Sequence, residues 1–191
     1  NSAPILREVL RELRTDRLIL RSVHKKGMAN SFTKQSLRHL NNSELGLYRY
    51  RGQCLNLQLL LQKRSAGKFS CFIKRTSLVY LAVDESGSLV AIASLHAINW
   101  SVPKFEIGYW CRANRQRQGF AAEAASELVR YAFEGLGANR IEALTEEENL
   151  PSRAVCESAG MKLEGIMRSE RVAPNGVLVN RCIYAKVRGE A

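Results

Sequence analysis

No apolar stretch in this 191-residue chain approaches the ~20 residues a membrane-crossing helix needs, and its start carries no secretory-leader core. The opening Asn in place of Met fits a trimmed start. C-x-x-C pairs are absent as well. The five cysteines, Cys54, Cys71, Cys111, Cys156 and Cys182, are odd in number and scattered, which points away from a disulfide frame or zinc site and towards reduced thiols in a cytoplasmic protein. Histidine is scarce, and His24, His39 and His96 lie far apart without metal-ligand spacing, so no metal is expected. Repeats, linkers and low-complexity tracts are also missing. One domain over residues 15–191 is expected, behind an N-terminal arm over 1–14.

Acidic residues are in short supply. Eighteen Asp+Glu against 29 Lys+Arg leave a formal charge of +11, a field that favours anions such as a phosphorylated cofactor, RNA or an anionic membrane. The basic residues are dispersed, with small clusters at Arg112 to Arg117 and Lys63-Arg64 and no nucleic-acid motif. A phosphorylated cofactor is therefore the first explanation and nucleic-acid proximity a lesser one.

What the chain does have is centred on Phe105 to Leu128. An aromatic-rich run, FEIGYW, passes into CRANRQRQGFA and then into AEAASEL, whose apolar residues recur at helical spacing. This reads as strand, tight turn, helix. The turn holds Gln116, Gly119 and Ala121 in the pattern Q-x-x-G-x-A. Small residues at a helix mouth let main-chain N–H groups wrap phosphate oxygens, and Arg112, Arg115 and Arg117 add charge-assisted donors. Taken alone, a glycine before a helix is as readily plain turn chemistry. Further on, Asn149 to Gly165 reads NLPSRAVCESAGMKLEG, an N-x-x-S-x-x-V-x-E-x-x-G-M pattern.

In this order and spacing the two motifs resemble the GNAT superfamily of N-acetyltransferases. Thr15-Asp16-Arg17-Leu18-Ile19-Leu20-Arg21, Glu106-Ile107-Gly108-Tyr109-Trp110 and Ala121-Ala122-Glu123-Ala124 are similar to its RimJ/RimL branch, which acetylates ribosomal-protein N-termini. The resemblance runs from about Thr15 to Val187. It implies an α/β (α+β) fold: a mixed, mostly antiparallel sheet of about seven strands with a parallel splayed pair in the middle, flanked by about four helices.

Strands are expected over Arg17 to Val23, Ser77 to Val83, Leu89 to Leu95, Phe105 to Cys111, Arg140 to Leu144, Leu163 to Val172 and Val177 to Val187. Helices are expected over Ala29 to Leu40, Cys54 to Lys63 and Ala121 to Phe133, and after Pro151. Glu123, Glu127, Arg130 and Glu134 are assigned to the outer side of the third of these. The helical spacing of Leu6 to Leu13 suits a short arm or a floppy end. The family's acceptor groove has one wall in the region of Asn41-Asn42-Ser43 and Tyr48-Arg49-Tyr50, where the sequence is least readable.

The resemblance further implies acetyl-CoA as donor and a primary amine as acceptor, with direct attack through a tetrahedral intermediate. Pantetheine would lie along the strand backbone near Tyr109, Trp110, Cys111 and Arg112, and the pyrophosphate on donors from Gln116, Arg117, Gln118, Gly119, Phe120 and Ala121. Glu106 is the candidate base, with a solvent-facing or salt-bridged carboxylate as the other reading. Many members carry a tyrosine in the later helix where this chain has Cys156. Ser152 is the replacement proton donor, or a helix cap; Cys156 is a second donor, or a buried inert thiol. Asn149 touches the cofactor arm, or caps the helix.

A structural role is preferred for His96, core packing for Trp110, and plain solvation for Glu146-Glu147-Glu148. The acceptor is a protein N-terminal α-amine or a small-molecule amine such as an antibiotic, polyamine or amino acid. A monomer or homodimer is expected, with nucleic acid near only through the ribosome and no membrane partner. A non-catalytic acyl-CoA-binding module and an RNA-binding protein are the readings from other classes.

Overall fold

The computed structural model describes residues 8–22, 48–50, 53–55 and 76–190. The expected helix over Ala29 to Leu40 lies outside them, as do Asn41-Asn42-Ser43, His24, His39, Cys71 and Lys63-Arg64.

Among the described residues, ten strands and two α-helices follow in chain order: β1 (Glu12–Arg14), β2 (Ile19–Ser22), β3 (Tyr48–Tyr50), β4 (Gln53–Leu55), β5 (Leu78–Val83), β6 (Leu89–Asn99), β7 (Lys104–Cys111), α1 (Phe120–Glu134), β8 (Arg140–Glu146), α2 (Leu150–Ser158), β9 (Lys162–Val172) and β10 (Leu178–Val187). Eight strands form one sheet in the order β1-β2-β5-β6-β7-β8-β10-β9, while β3 and β4 pair as a separate ribbon. Every neighbouring pair in the large sheet is antiparallel except β7 with β8, the pair that needs α1 as a crossover.

The expected strands and turns are present, with two corrections. Leu6 to Leu13 has helical spacing, yet Glu12–Arg14 pairs with β2 as an edge strand. Leu13 is 4% exposed there, so burial against the core wins over local periodicity. The segment before it is tied down by Tyr131, which accepts from the Leu10 N–H at 2.7 Å, and by Tyr80, which donates to the Leu10 carbonyl at 2.7 Å. Second, Cys54 and Leu55 belong to β4, so a helix does not begin at Cys54; the rest of that expected helix is outside the described residues.

Helix α1 packs Ala124, Ala125, Leu128 and Ala132 onto the sheet, all at most 1% exposed. Burying Leu128 contributes roughly 2–3 kcal/mol. Glu127, assigned to the outer side, is buried instead, because the Arg130 guanidinium reaches it at 2.7 Å and neutralises its charge locally. Gly135 caps α1, and Gly137 turns the chain with φ +75°. Pro151 sits in the first turn of α2, and Gly160 ends the turn after it with φ +73°.

Candidate active site

The parallel pair is short. β7 and β8 are registered only at Lys104↔Arg140, Phe105↔Ile141 and Glu106↔Glu142; beyond them β7 follows β6 and β8 follows β10. The sheet therefore opens between Ile107 and Cys111 on one side and Ala143 and Glu146 on the other. A cleft of about 260 Å³ fills this opening. Glu106, Tyr109, Trp110, Asn149 and Ser152 all line it, so it gathers five of the residues singled out in the sequence. His96, Thr145, Glu146, Arg171 and Arg181 line it too.

Tyr109 links the strand to α2. Its hydroxyl donates to the Ser152 carbonyl at 2.7 Å and lies 3.0 Å from both Ser152 Oγ and Cys156 Sγ. Burial is the first cause holding the Tyr109 phenol well above its ordinary range, with Cys156 adding to it and the Ser152 bond opposing. Cys156 is fully buried, and that burial pushes its thiol up to about 11 against a smaller opposing effect of Tyr109. The cap of α2 is Asn149, whose Oδ1 accepts from the Ser152 N–H at 3.1 Å. The Ser152 hydroxyl is thus left for Tyr109 and the cleft.

Glu106 and His96 face each other across β6 and β7, with Nδ1 3.7 Å from Oε2. The histidine side chain is 4% exposed and the carboxylate 22%. Gly108 makes room for the ring: a Cβ there would stand 3.0 Å from His96 Nε2 and 3.3 Å from Ser94 Oγ.

Elsewhere the cleft differs from expectation. Trp110 is half-buried on its wall, whereas Trp100 packs edge-on against Phe105 at 5.1 Å; core packing was assigned to the wrong tryptophan. Glu146 and Glu147 are fixed and not merely solvated. Glu146 pairs with Arg171 at 2.7 Å and Glu147 accepts from Asn180 at 2.8 Å. Asn180 also accepts from the Ser169 N–H at 2.9 Å, where φ is +49°, and so shapes the β9 irregularity that presents Arg171.

The loop after β7 makes a single 3₁₀ turn at Ala113–Arg115 and enters α1 through two left-handed residues, Arg117 at φ +61° and Gly119 at φ +83°. Gln116, Arg117, Gln118 and Gly119 are exposed, and the Phe120 ring is buried. The three arginines differ. Arg112 is 5% exposed, Arg115 pairs with Asp84 at 3.3 Å, and Arg117 alone of the three is exposed. Cys111 is half-buried; burial raises its thiol, and a hydrogen bond from the Ala121 N–H works the other way. That thiol donates to the Arg115 carbonyl at 3.5 Å.

The sequence profile of the acetyltransferase (GNAT) domain matches residues 17–162. The chain belongs to the GNAT acetyltransferase family. Among GNAT relatives, YdaF of Bacillus subtilis (strain 168), provisionally named as a ribosomal N-acetyltransferase, is 35% identical over 104 residues. The match covers 54% of this chain and 56% of YdaF, so it spans little more than half of that relative. The fold is that of RimL, a ribosomal α-N-protein acetyltransferase solved with coenzyme A: TM-score 0.69 at 21% identity, covering 91% of this chain and 95% of that one. Mutant forms of the spermidine/spermine N-acetyltransferase SpeG from Vibrio cholerae share it equally, with TM-score 0.69 at 18% identity over 91% and 95%.

The GNAT cofactor, acetyl-CoA, can be tested against this geometry. Among the described residues, Arg17 Nη2 is the atom near the absent Cβ of Gly119, at 3.3 Å, so they put no bulk on the helix mouth and a cation beside it. The first turn of α1 presents main-chain N–H groups beside exposed Arg117. Both features suit a diphosphate. The cleft-lining residues that the sequence reading did not single out are Thr145, Arg171 and Arg181, and His96, read there as structural, lines it too. For His96 the available signal was its place opposite Glu106 in a hairpin; the arginines carry no motif.

Proposed function

We propose that this protein is an acetyl-CoA-dependent N-acetyltransferase whose acceptor is the α-amine of a protein N-terminus. The observation that carries the reading is the opening between β7 and β8, which brings a carboxylate, a hydroxyl and strand backbone that no described strand pairs on that side into one cleft beside a glycine-mouthed helix. Acetyl-CoA, when bound, supplies an activated acyl group and a thiolate leaving group. Gln116 to Ala121 would hold its diphosphate, and Tyr109 to Arg112 its pantetheine arm.

Glu106 takes the proton from the acceptor amine, directly or through water. Ser152 is the proton donor, its hydroxyl lining the cleft while Asn149 caps α2 and the Tyr109 hydroxyl lies 3.0 Å from Ser152 Oγ. Cys156 is the weaker candidate: it is fully buried with its thiol at about 11, so it fits as packing beneath Tyr109.

The lining supports a peptide acceptor over a polyamine. Glu106 and Glu146 are balanced by Arg171 and Arg181, and a multiply charged cation gains nothing from two arginines. The free thiols Cys111, Cys156 and Cys182 suit action in the cytoplasm. The test is free-CoA release from acetyl-CoA with N-terminal peptides, aminoglycosides and polyamines as acceptors. Peptides are expected to support turnover. Release with polyamines alone would reassign the acceptor, and no release with any amine would remove the enzyme reading.

A further inference from the structure

The buried His96 is not used by the mechanism above, and its placement gives it a role. It stands directly opposite Glu106 in the β6–β7 register, 3.7 Å from the carboxylate, with both side chains on the cleft. Gly108, which pairs with Ser94 and lies two residues along β7 from Glu106, stands beside the ring. Here Gly108 admits Nε2 to within 3.0 Å of where a Cβ would be, which turns Nδ1 towards Glu106.

We propose that His96 is the positioning residue for the base: its Nδ1 side keeps the Glu106 carboxylate aimed into the cleft. This rests on Glu106 being the base of the proposed reaction. The 3.7 Å separation is longer than a hydrogen bond. Catalytic contacts of this kind commonly tighten when substrate fills the site. A protonated imidazole would stabilise the carboxylate strongly and weaken it as a base, while a neutral one orients it with a smaller loss of basicity. The pair thereby ties the activity's acid limb to His96 as well as to Glu106. Among the described residues, the other charged or titratable groups on this cleft are Tyr109 from β7, Glu146 from β8, Arg171 from β9 and Arg181 from β10.

Two measurements test the pairing. In the free protein, the His96 imidazole is titrated by NMR in wild type and Glu106→Gln. Loss of the carboxylate should lower its midpoint by about one unit or more, and matching titrations overturn the pairing. In turnover, His96→Ala should lower kcat about 10- to 100-fold with an unchanged KM for acetyl-CoA and a displaced acid limb. His96→Asn, whose amide can donate in place of Nδ1, should recover most of the rate and lose the imidazole's pH step. Gly108→Ala, which keeps both partners but crowds the ring, should also lower kcat. A His96→Ala enzyme within twofold of wild-type kcat, or one whose pH profile is unmoved, overturns the proposal. If wild type turns over no amine, the acetyltransferase reading fails, and the free-protein titration still judges the pairing separately.

Discussion

Glu123, in the first turn of α1, accepts from Arg17 twice, from Nε at 2.7 Å and from the main-chain N–H at 3.1 Å. The Thr15 hydroxyl donates to the same carboxylate. Arg17 also reaches the Gln118 carbonyl at 3.1 Å and lies 4.8 Å over the Phe120 ring. A turn near the N-terminus thus clamps the loop and helix mouth proposed to carry phosphate.

Breaking that clamp should weaken both fold and cofactor binding. Arg17 is half-exposed, so Arg17→Ala is expected to cost only about 1–2 kcal/mol. Burial raises the Glu123 carboxyl, but the Thr15 and Arg17 bonds outweigh it and leave it below its usual range. A depressed folded-state pKa means stability that is present above the unfolded value, about 4.3, and lost as pH falls through the folded one. Thermal melts of wild type and Glu123→Gln should therefore converge as pH drops below about 4. Parallel curves would remove the clamp from the account.

Acetyl-CoA at a hundredfold over its Kd should stabilise the protein by about 2.7 kcal/mol through mass action. Gly119→Glu should abolish the accompanying rise in Tm by placing a negative charge at the helix mouth. Gly119→Ala is the control for backbone strain, since φ is +83°, and should cost about 1–2 kcal/mol while keeping most of the response. An undiminished response in Gly119→Glu would relocate the phosphate site.

Ser152→Ala should lower kcat by about 10²-fold without altering the KM for acetyl-CoA. Tyr109→Phe, which removes the phenol's hydrogen bonds to Ser152, should cost about 1–2 kcal/mol in stability and lower kcat as well. Equal kcat in Ser152→Ala and wild type would return the proton-donor role to another group.

Cys156 should resist alkylation in the native protein at pH 8, with half-buried Cys111 labelled ahead of it. A thiol raised to about 11 in the fold favours the folded state fully below the unfolded value of about 8.5, and that contribution fades as pH climbs towards 11. Cys156→Ala should therefore flatten part of the alkaline loss of stability. Prompt labelling of Cys156 would mean that α2 opens readily.

The sheet and its punctuation were legible because they rest on local chemistry: Asp84 to Gly87 in a hairpin turn, Pro151 in a first helical turn, Gly119 at φ +83°. The helix mouth was legible for the same reason. Pairing across the chain was not. Nothing in Leu6 to Leu13 announces that Leu13 will lie against the core, because the edge it joins is built by residues far away. His96 and Glu106 sit on different strands, and their meeting depends on hairpin register. Arg171 reaches the cleft only through the Ser169 irregularity held by Asn180. Trp110 sits in a strand whose far neighbour departs, and a strand pattern cannot say where a neighbour will leave.

With three residue pairs stitching β7 to β8, the sheet is mechanically two plates sharing a brief seam. Along the rest of that seam the described residues provide no rungs. An elongated guest laid there would supply them, so filling the gap and stiffening the protein become one event. Amides flanking the gap should be the ones whose hydrogen exchange slows most when the guest arrives.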